Sequence, residues 1–337
     1  MNTIHILGIG NIGKLFAYAL KKSDPSSKVV LLLHRKSLAS DWEVGGRCIE
    51  LVTNGVSVKQ GGLDVEVLSP QTPPESGAFI KNLIVATKTY DTTKALSRVQ
   101  YRLDGTSSIL FLQNGMGVVE EVSRKVFNDG ATKPHFLAGI TSHGVYNTGP
   151  FSIVHAGLGK TIFGPVLQED QQELSPDDAN AASQYLRESL AAADILSATS
   201  VTASAIREAQ LEKLVINAII NPLTVLLDCR NGLIFDQPDS VSLARQLLGE
   251  AGPIVRTLLY GSASRPQGDR FSDESLWRVV QEVAQKTGQN VSSMLQDVRA
   301  GRPTEIDYIN GYLVQKGDEL GLPNQNNAKI VQLVKSK

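Results

Sequence analysis

The sequence predicts an α/β protein in which a parallel-sheet domain precedes an all-α domain. Three observations carry that prediction. A strand-like run, Thr3-Ile4-His5-Ile6-Leu7, leads through a glycine-rich loop into the helical pattern Lys14-Leu15-Phe16-Ala17-Tyr18-Ala19-Leu20. Further short apolar runs, at 28–33, 82–87 and 107–112, read as buried strands of an open parallel sheet. After residue 200 the β-rich runs disappear and helical periodicity dominates to the end.

At 337 residues the chain is too long for one ordinary core, so two domains are expected. The boundary falls near residue 200, within Ala198-Thr199-Ser200, giving one domain over 1–200 and another over 201–337. Hydrophobic residues at 42% and charged residues at 20% fit a soluble globular protein. A formal net charge of −1 gives no general attraction to nucleic acid or an anionic membrane, so an anionic ligand has to be held by local charge. The longest apolar runs are broken by Asn or Lys well before the ~20 residues of a membrane span. The apolar start leads straight into glycines, so no signal peptide is expected, and Cys48 and Cys229 form no disulfide framework. These features predict an intracellular, cytoplasmic protein with free thiols. Its oligomeric state is left open.

The first loop, Gly8-Ile9-Gly10-Asn11-Ile12-Gly13, lies between a strand and a helix, where its spacing has a mechanism. Gly8 permits a tight turn, Gly10 lets backbone approach a pyrophosphate, and Gly13 lets the helix pack close to the strand. The helix N-terminus then faces the anion. This arrangement predicts a Rossmann-type dinucleotide site. The second strand ends in His34-Arg35-Lys36, roughly 20 residues further on, where an NAD enzyme would place a carboxylate for the ribose. No carboxylate occurs until Asp41, and Arg35 can receive a 2′-phosphate. NADPH is therefore the expected cofactor, with Lys36 beside Arg35.

Residues 42–75 read as a strand or two and a proline-rich turn on the edge of the sheet. Lys88 lies just past the strand at 82–87, and Gln113-Asn114-Gly115-Met116-Gly117 follows the strand at 107–112. Ligands bind beyond the carboxyl ends of parallel strands, so Lys88 and Asn114 are expected in the cofactor crevice. A strand over 136–141 is followed by Ser142-His143-Gly144, which again points toward that crevice. Gly149-Pro150 with the runs at 151–155 and 160–163 suggests a hairpin. His143 and His155 lack companions at metal-ligand spacing, so no metal site is expected. An acidic stretch over 168–180 reads as a surface loop.

The run Glu212-Lys213-Leu214-Val215-Ile216-Asn217-Ala218-Ile219-Ile220-Asn221-Pro222 organises the second domain. At about 100° per residue, Lys213, Asn217 and Asn221 share roughly 80° of arc on an otherwise apolar helix. Burying an ammonium and two carboxamides without partners would cost several kcal/mol, so the lane should face a cleft holding a polar ligand. The competing reading has the lane hydrogen-bonding a neighbouring domain. Pro222 has no N–H for the Ala218 carbonyl, which predicts a kink just past Asn221.

With these motifs in place, the chain resembles the ketopantoate reductase family over nearly its full length. The resemblance extends to Asn231-Gly232, to Ser292-Ser293-Met294-Leu295-Gln296-Asp297 and to Thr304-Glu305-Ile306-Asp307-Tyr308-Ile309-Asn310-Gly311. It implies NADPH-dependent reduction of 2-dehydropantoate to pantoate, on the route to pantothenate and coenzyme A. It further implies Lys213 as proton donor and Asn217, Asn221, Asn231 and Ser293 as substrate ligands. By the same resemblance Asn114 lies between cofactor and substrate, Lys88 on the cofactor side, and Glu305 near the nicotinamide ribose and active site. Residues 168–180 and 128–134 look like insertions.

The chemistry of a 2-oxo acid fits those roles. C2 needs a hydride, the resulting alkoxide a proton, and the carboxylate a fixed partner. Lys213 can supply the proton if burial lowers its pKa toward the working pH. Carboxamides bind hydroxyl and carbonyl groups without adding charge. Gly301 should end one helix and Pro303 open the next, setting Glu305 near a positive helix end. A reductase of another branched 2-oxo acid, or an NADPH-binding protein without turnover, are the alternatives. Cofactor motifs before residue 200 and the lane after it predict a site assembled by domain closure.

Overall fold

The computed structural model describes residues 3–68, 78–128, 133–166, 178–264 and 269–337. The proline turn at 70–74, most of the acidic stretch 168–180 and positions 129–132 of the second insertion lie outside the described residues. Two compact units divide the chain: Met1–Gln113 with Val118–Arg207, and Asn114–Gly117 with Glu208–Lys337.

The first unit begins with β1 (Thr3–Leu7), α1 (Asn11–Ser23), β2 (Lys28–Leu33) and α2 (Lys36–Val44). Then come β3 (Ile49–Thr53), β4 (Val56–Gln60), β5 (Asp64–Val67), β6 (Asn82–Val85), α3 (Thr89–Leu96), β7 (Ser108–Phe111) and α4 (Val118–Lys125). It closes with β8 (His135–Thr141), β9 (Gly144–Gly149), β10 (Ser152–Gly157), β11 (Thr161–Pro165), α5 (Asp178–Ala192) and β12 (Ala198–Ser200).

Eight of these strands form one sheet in the order β12-β11-β8-β7-β6-β1-β2-β5. From β5 to β8 the strands are parallel, and β11 joins β8 antiparallel. Ile4, Ile6, Leu31, Leu33, Ile84 and Leu110 are fully buried, as expected of strands covered on both faces. The strand order reverses at β1, with β2 on one side and β6 on the other. Such a switch point opens a crevice beyond the carboxyl ends of the strands.

The stretch after α2 departs from the sequence reading. Only β5 lies on the edge of the main sheet, while β3 and β4 belong to a second sheet of order β4-β3-β10-β9. The expected hairpin also re-pairs: β10 runs antiparallel to β9, and β11 goes to β8 in the main sheet. The physical reason is coverage. Ile49, Leu51, Phe151 and Ile153 are buried with Leu15 and Phe16 of α1, and Trp42 meets Phe151 edge-on at 4.8 Å between ring centroids. An apolar helix face had to be covered, and these alternating strands cover it.

The helical unit is built on α6 (Ala203–Leu227), α7 (Pro238–Tyr260), α8 (Asp273–Lys286), α9 (Ser293–Arg299), α10 (Asn310–Leu320) and α11 (Gln325–Lys335). By length and apolar composition α6 could cross a membrane, but Leu214, Val215, Ala218, Ile219 and Leu223 are buried in a core shared with Leu247, Ile254, Leu276 and Leu313. The helix continues five residues past Pro222 to Leu227. Where the proline leaves the Ala218 carbonyl without its usual helical donor, Asn310 Nδ2 supplies one at 2.9 Å. Pro303 does not open a helix as expected. Residues 302–304 are irregular, Glu305 precedes a 3-10 turn over Ile306–Tyr308, and α10 begins only at Asn310.

Candidate active site

The glycine loop shows which of its glycines the protein itself requires. Gly8 has φ +98°, and a Cβ there would run into the Thr87 amide; a Cβ at Gly13 would run into the Gly8 carbonyl. Gly10 has an ordinary φ of −79°, and the nearest atom to a Cβ there is 4.0 Å away. Its bare backbone answers no demand of the fold and leaves room for a ligand. Helix α1 begins here without a side-chain cap and with no acid in its first turn. Unsatisfied N–H groups and the positive end of the helix suit the diphosphate of a dinucleotide. Ile9 and Ile12 pack against the sheet core, and Asn11 Nδ2 donates to the Val145 carbonyl at 3.2 Å.

Lys14, unremarked in the sequence beyond its helical pattern, is almost wholly buried one turn into α1. Its ammonium donates to Asn147 Oδ1, to the Gly149 carbonyl and to the Pro150 carbonyl. All three acceptors are neutral. Burial lowers this amine to about 8. A lysine following a glycine loop inside an apolar helix was the available signal.

Arg35 is the exposed N-cap residue of α2, directly past β2, followed by exposed Lys36. Lys88 occupies the N-cap position of α3, past β6, without a side-chain cap bond, and is half-buried. The adjoining turn is tied down, because Gln113 Nε2 donates to the hydroxyls of Thr87 at 3.3 Å and Thr92 at 3.1 Å. His143 does not serve a crevice. Its Nδ1 meets His155 Nε2 at 3.0 Å and its Nε2 meets the Leu196 carbonyl at 3.0 Å, both rings being buried. The two histidines are each other's companion, a pairing that their sequence spacing hid.

In the helical unit, Asn114 Nδ2 lies 3.4 Å from Glu305 Oε2. The stretch around it is seated on the 3-10 turn: Met116 N–H donates to the Tyr308 carbonyl at 2.8 Å, and Gly115, at φ +80°, has no space for a side chain against that carbonyl. Glu305 is buried. On α6, Lys213 and Asn217 are half-buried and Asn221 is buried. Burial lowers the Lys213 ammonium to about 8, with the Glu305 charge working in the opposite direction.

The far end of the lane is braced by hydroxyls. Thr224 Oγ1 donates to the Asn221 carbonyl at 2.7 Å and meets Ser292 Oγ at 2.6 Å. Ser292 also accepts from the Leu295 N–H, which makes it the cap of α9 and leaves Ser293 exposed at the first turn. Asn231 is held by its N–H on the Asn290 carbonyl and its Nδ2 on Thr287 Oγ1. Thus Asn114, Lys213, Asn217, Asn221, Asn231, Ser293 and Glu305 all fall in the helical unit, whereas the glycine loop, Arg35 and Lys88 fall in the sheet unit. Sequence reasoning named Ser292 and Asn310 only as members of motifs and Thr287 not at all; each hydrogen-bonds another residue of the chain.

The family description "Ketopantoate reductase PanE/ApbA" matches residues 4–168, and "Ketopantoate reductase PanE/ApbA C terminal" matches residues 205–337. The chain belongs to the ketopantoate reductase family. It is 33% identical, over 100% of its own length and 96% of the relative's, to a probable 2-dehydropantoate 2-reductase of Schizosaccharomyces pombe. It is 30% identical to a ketoisovalerate reductase of Gibberella fujikuroi, covering 94% of this chain and 79% of that one. Among solved structures, D-mandelate dehydrogenase with NADH and anilino(oxo)acetate has the same fold, with a TM-score of 0.80, 21% identity and coverage of 99% and 97%. Ketopantoate reductases are nicotinamide-dependent oxidoreductases acting on a CH–OH group.

Proposed function

We propose that this chain reduces 2-dehydropantoate to pantoate with NADPH, a step of pantothenate and coenzyme A biosynthesis. The observation that carries the reading is Lys213. It stands on an apolar helix with its ammonium lowered to about 8, in the field of a buried glutamate that Asn114 also reaches. Such an amine is still protonated at neutral pH, yet gives up its proton far more readily than an exposed lysine. The relatives named for 2-dehydropantoate support the substrate assignment.

Each residue then has a task. Arg35 takes the cofactor's 2′-phosphate, the loop from Gly8 to Gly13 its diphosphate, and Lys88 a further anionic or hydroxyl group. When bound, the nicotinamide supplies the hydride to C2. Lys213 polarises the C2 carbonyl and protonates its oxygen. Glu305 holds the charge balance of Lys213 and fixes Asn114 between cofactor and substrate. Asn217, Asn221 and Asn231 orient the substrate's oxygen atoms, and Ser293, at the start of α9, receives the carboxylate.

NADPH oxidation followed with and without 2-dehydropantoate is the test. Oxidation no faster than the substrate-free rate would reject the assignment. A second reading, reduction of another branched 2-oxo acid, is favoured by the likeness to a ketoisovalerate reductase. A panel of 2-oxo acids ranked by kcat/KM separates the two.

A further inference from the structure

The turn that carries Asn231 is clamped from two directions. Its N–H donates to the Asn290 carbonyl at 3.0 Å, and Gly232 lies so close to Gly288 that a Cβ there would come within 2.9 Å of the Gly288 Cα. It is also joined to the polar lane of α6. Asn290 lies two residues before Ser292, whose hydroxyl meets Thr224, which in turn donates to the Asn221 carbonyl.

The side-chain hydrogen bonds have a fixed polarity. Thr287 Oγ1 donates its proton to the Val283 carbonyl at 2.7 Å, an atom that can only accept. A hydroxyl has one proton, so Thr287 offers Asn231 lone pairs alone. At 2.9 Å from that oxygen, Asn231 has to present its Nδ2. Turning the amide over would set two acceptors against each other. The remaining atom, Asn231 Oδ1, is buried without a hydrogen-bond partner among the described residues, and the residue as a whole is 8% exposed. Buried acceptors in native proteins are nearly always paired, which makes Oδ1 a candidate to take a donor from a ligand.

We propose that Thr287 is a positioning residue that locks the Asn231 carboxamide as an acceptor, so that the site favours a 2-oxo acid whose branched chain carries a hydroxyl over the same acid without it. The inference rests on the reduction proposed above. A hydroxyl on the substrate supplies the missing proton, whereas a hydrogen in its place leaves Oδ1 unpaired. Sites built to bind a hydroxyl reject the deoxy analogue by large factors for this reason. The distinction divides the substrates named for relatives of this chain, because 2-dehydropantoate has that hydroxyl and ketoisovalerate lacks it.

The experiment measures kcat/KM for 2-dehydropantoate and for 3,3-dimethyl-2-oxobutanoate, the same skeleton without the hydroxyl. The full-length protein should prefer the hydroxylated acid by about 100-fold or more. In Thr287→Val, which keeps the shape but removes the hydroxyl, that ratio should fall about tenfold, and in Thr287→Ser it should return. An unchanged ratio in Thr287→Val, or a parallel loss on both acids, overturns the role of Thr287. Wild-type protein that reduces neither acid overturns the reductase assignment, and the inference with it.

Discussion

Asn310 Nδ2 donates to the Ala218 carbonyl across 92 residues of sequence. Ala218 lies four residues before Pro222, so the bond replaces the one that proline removes from α6. The same amide donates to Asn327 Oδ1 at 3.0 Å, and Asn327 in turn donates to Glu250, whose carboxylate also accepts the N–H groups of Asn326 and Asn327 at the start of α11. One buried network thereby holds together the lane helix, α7, α10 and α11. Replacing Asn310 by Ala strands two buried acceptors at about 1–3 kcal/mol each. Denaturant unfolding should show that loss, and Pro222→Ala in the same chain should recover part of it by restoring the helical donor. Additive effects of the two substitutions would show that the bond does not compensate for the proline.

Gly10 and Gly13 should respond oppositely to the same change. Gly10→Ala meets open space and should leave the melting temperature nearly unchanged while weakening NADPH binding by about tenfold or more, read by fluorescence titration. Gly13→Ala collides with the Gly8 carbonyl and should lower stability as well. Full cofactor affinity in a folded Gly10→Ala protein would remove that backbone from the binding surface.

On the proposed reading, Arg35 carries the preference for NADPH over NADH. Removing a charge-assisted contact of about 1.5–3 kcal/mol predicts a loss of about 10- to 100-fold in kcat/KM for NADPH in Arg35→Ala, with little change for NADH. Equal losses for both cofactors, or a wild-type preference for NADH, would refute the role.

As the proposed proton donor, Lys213 should give the reaction a basic limb. In that role the ammonium would be the working form, so kcat should be level at neutral pH and fall as pH rises through about 8. Lys213→Met should fold and bind NADPH but lose about 100- to 10,000-fold in kcat. Near-normal turnover in that variant would discard it as the proton donor.

Two histidines make the sheet unit acid-sensitive. Burial lowers His5 from 6.5 to about 4, and burial, then the His143 ring, lowers His155. An imidazole whose folded pKa is depressed binds its proton more readily in the unfolded chain. For His5 the stabilisation is therefore complete above pH 6.5 and is lost as pH falls toward 4, and for His155 it is lost in the same direction. For His5 the loss is at most about 3 kcal/mol. His5→Leu should flatten the fall of unfolding free energy between those pH values, and an unaltered slope would contradict it.

The sequence alone determined what lies within one turn of helix or one loop. The order of strand, glycines and helix at 3–20, and the lane of Lys213, Asn217 and Asn221, follow from periodicities that a chain carries locally. Glu305 was reachable through its motif, but its approach to Asn114 was not, because that contact joins residues 191 positions apart. Tertiary structure decided the rest. Strands β3 and β10 pair because an apolar face of α1 had to be covered, not because either sequence specifies the other. The His143 and His155 rings meet only when β9 pairs with β10 and brings the turn before β9 alongside it. The direction in which the Asn231 amide points is set by one proton on Thr287, more than fifty residues away. Local pattern names the groups available for chemistry; long-range hydrogen bonding fixes how each one faces, since a donor left without an acceptor in the interior is too costly to keep.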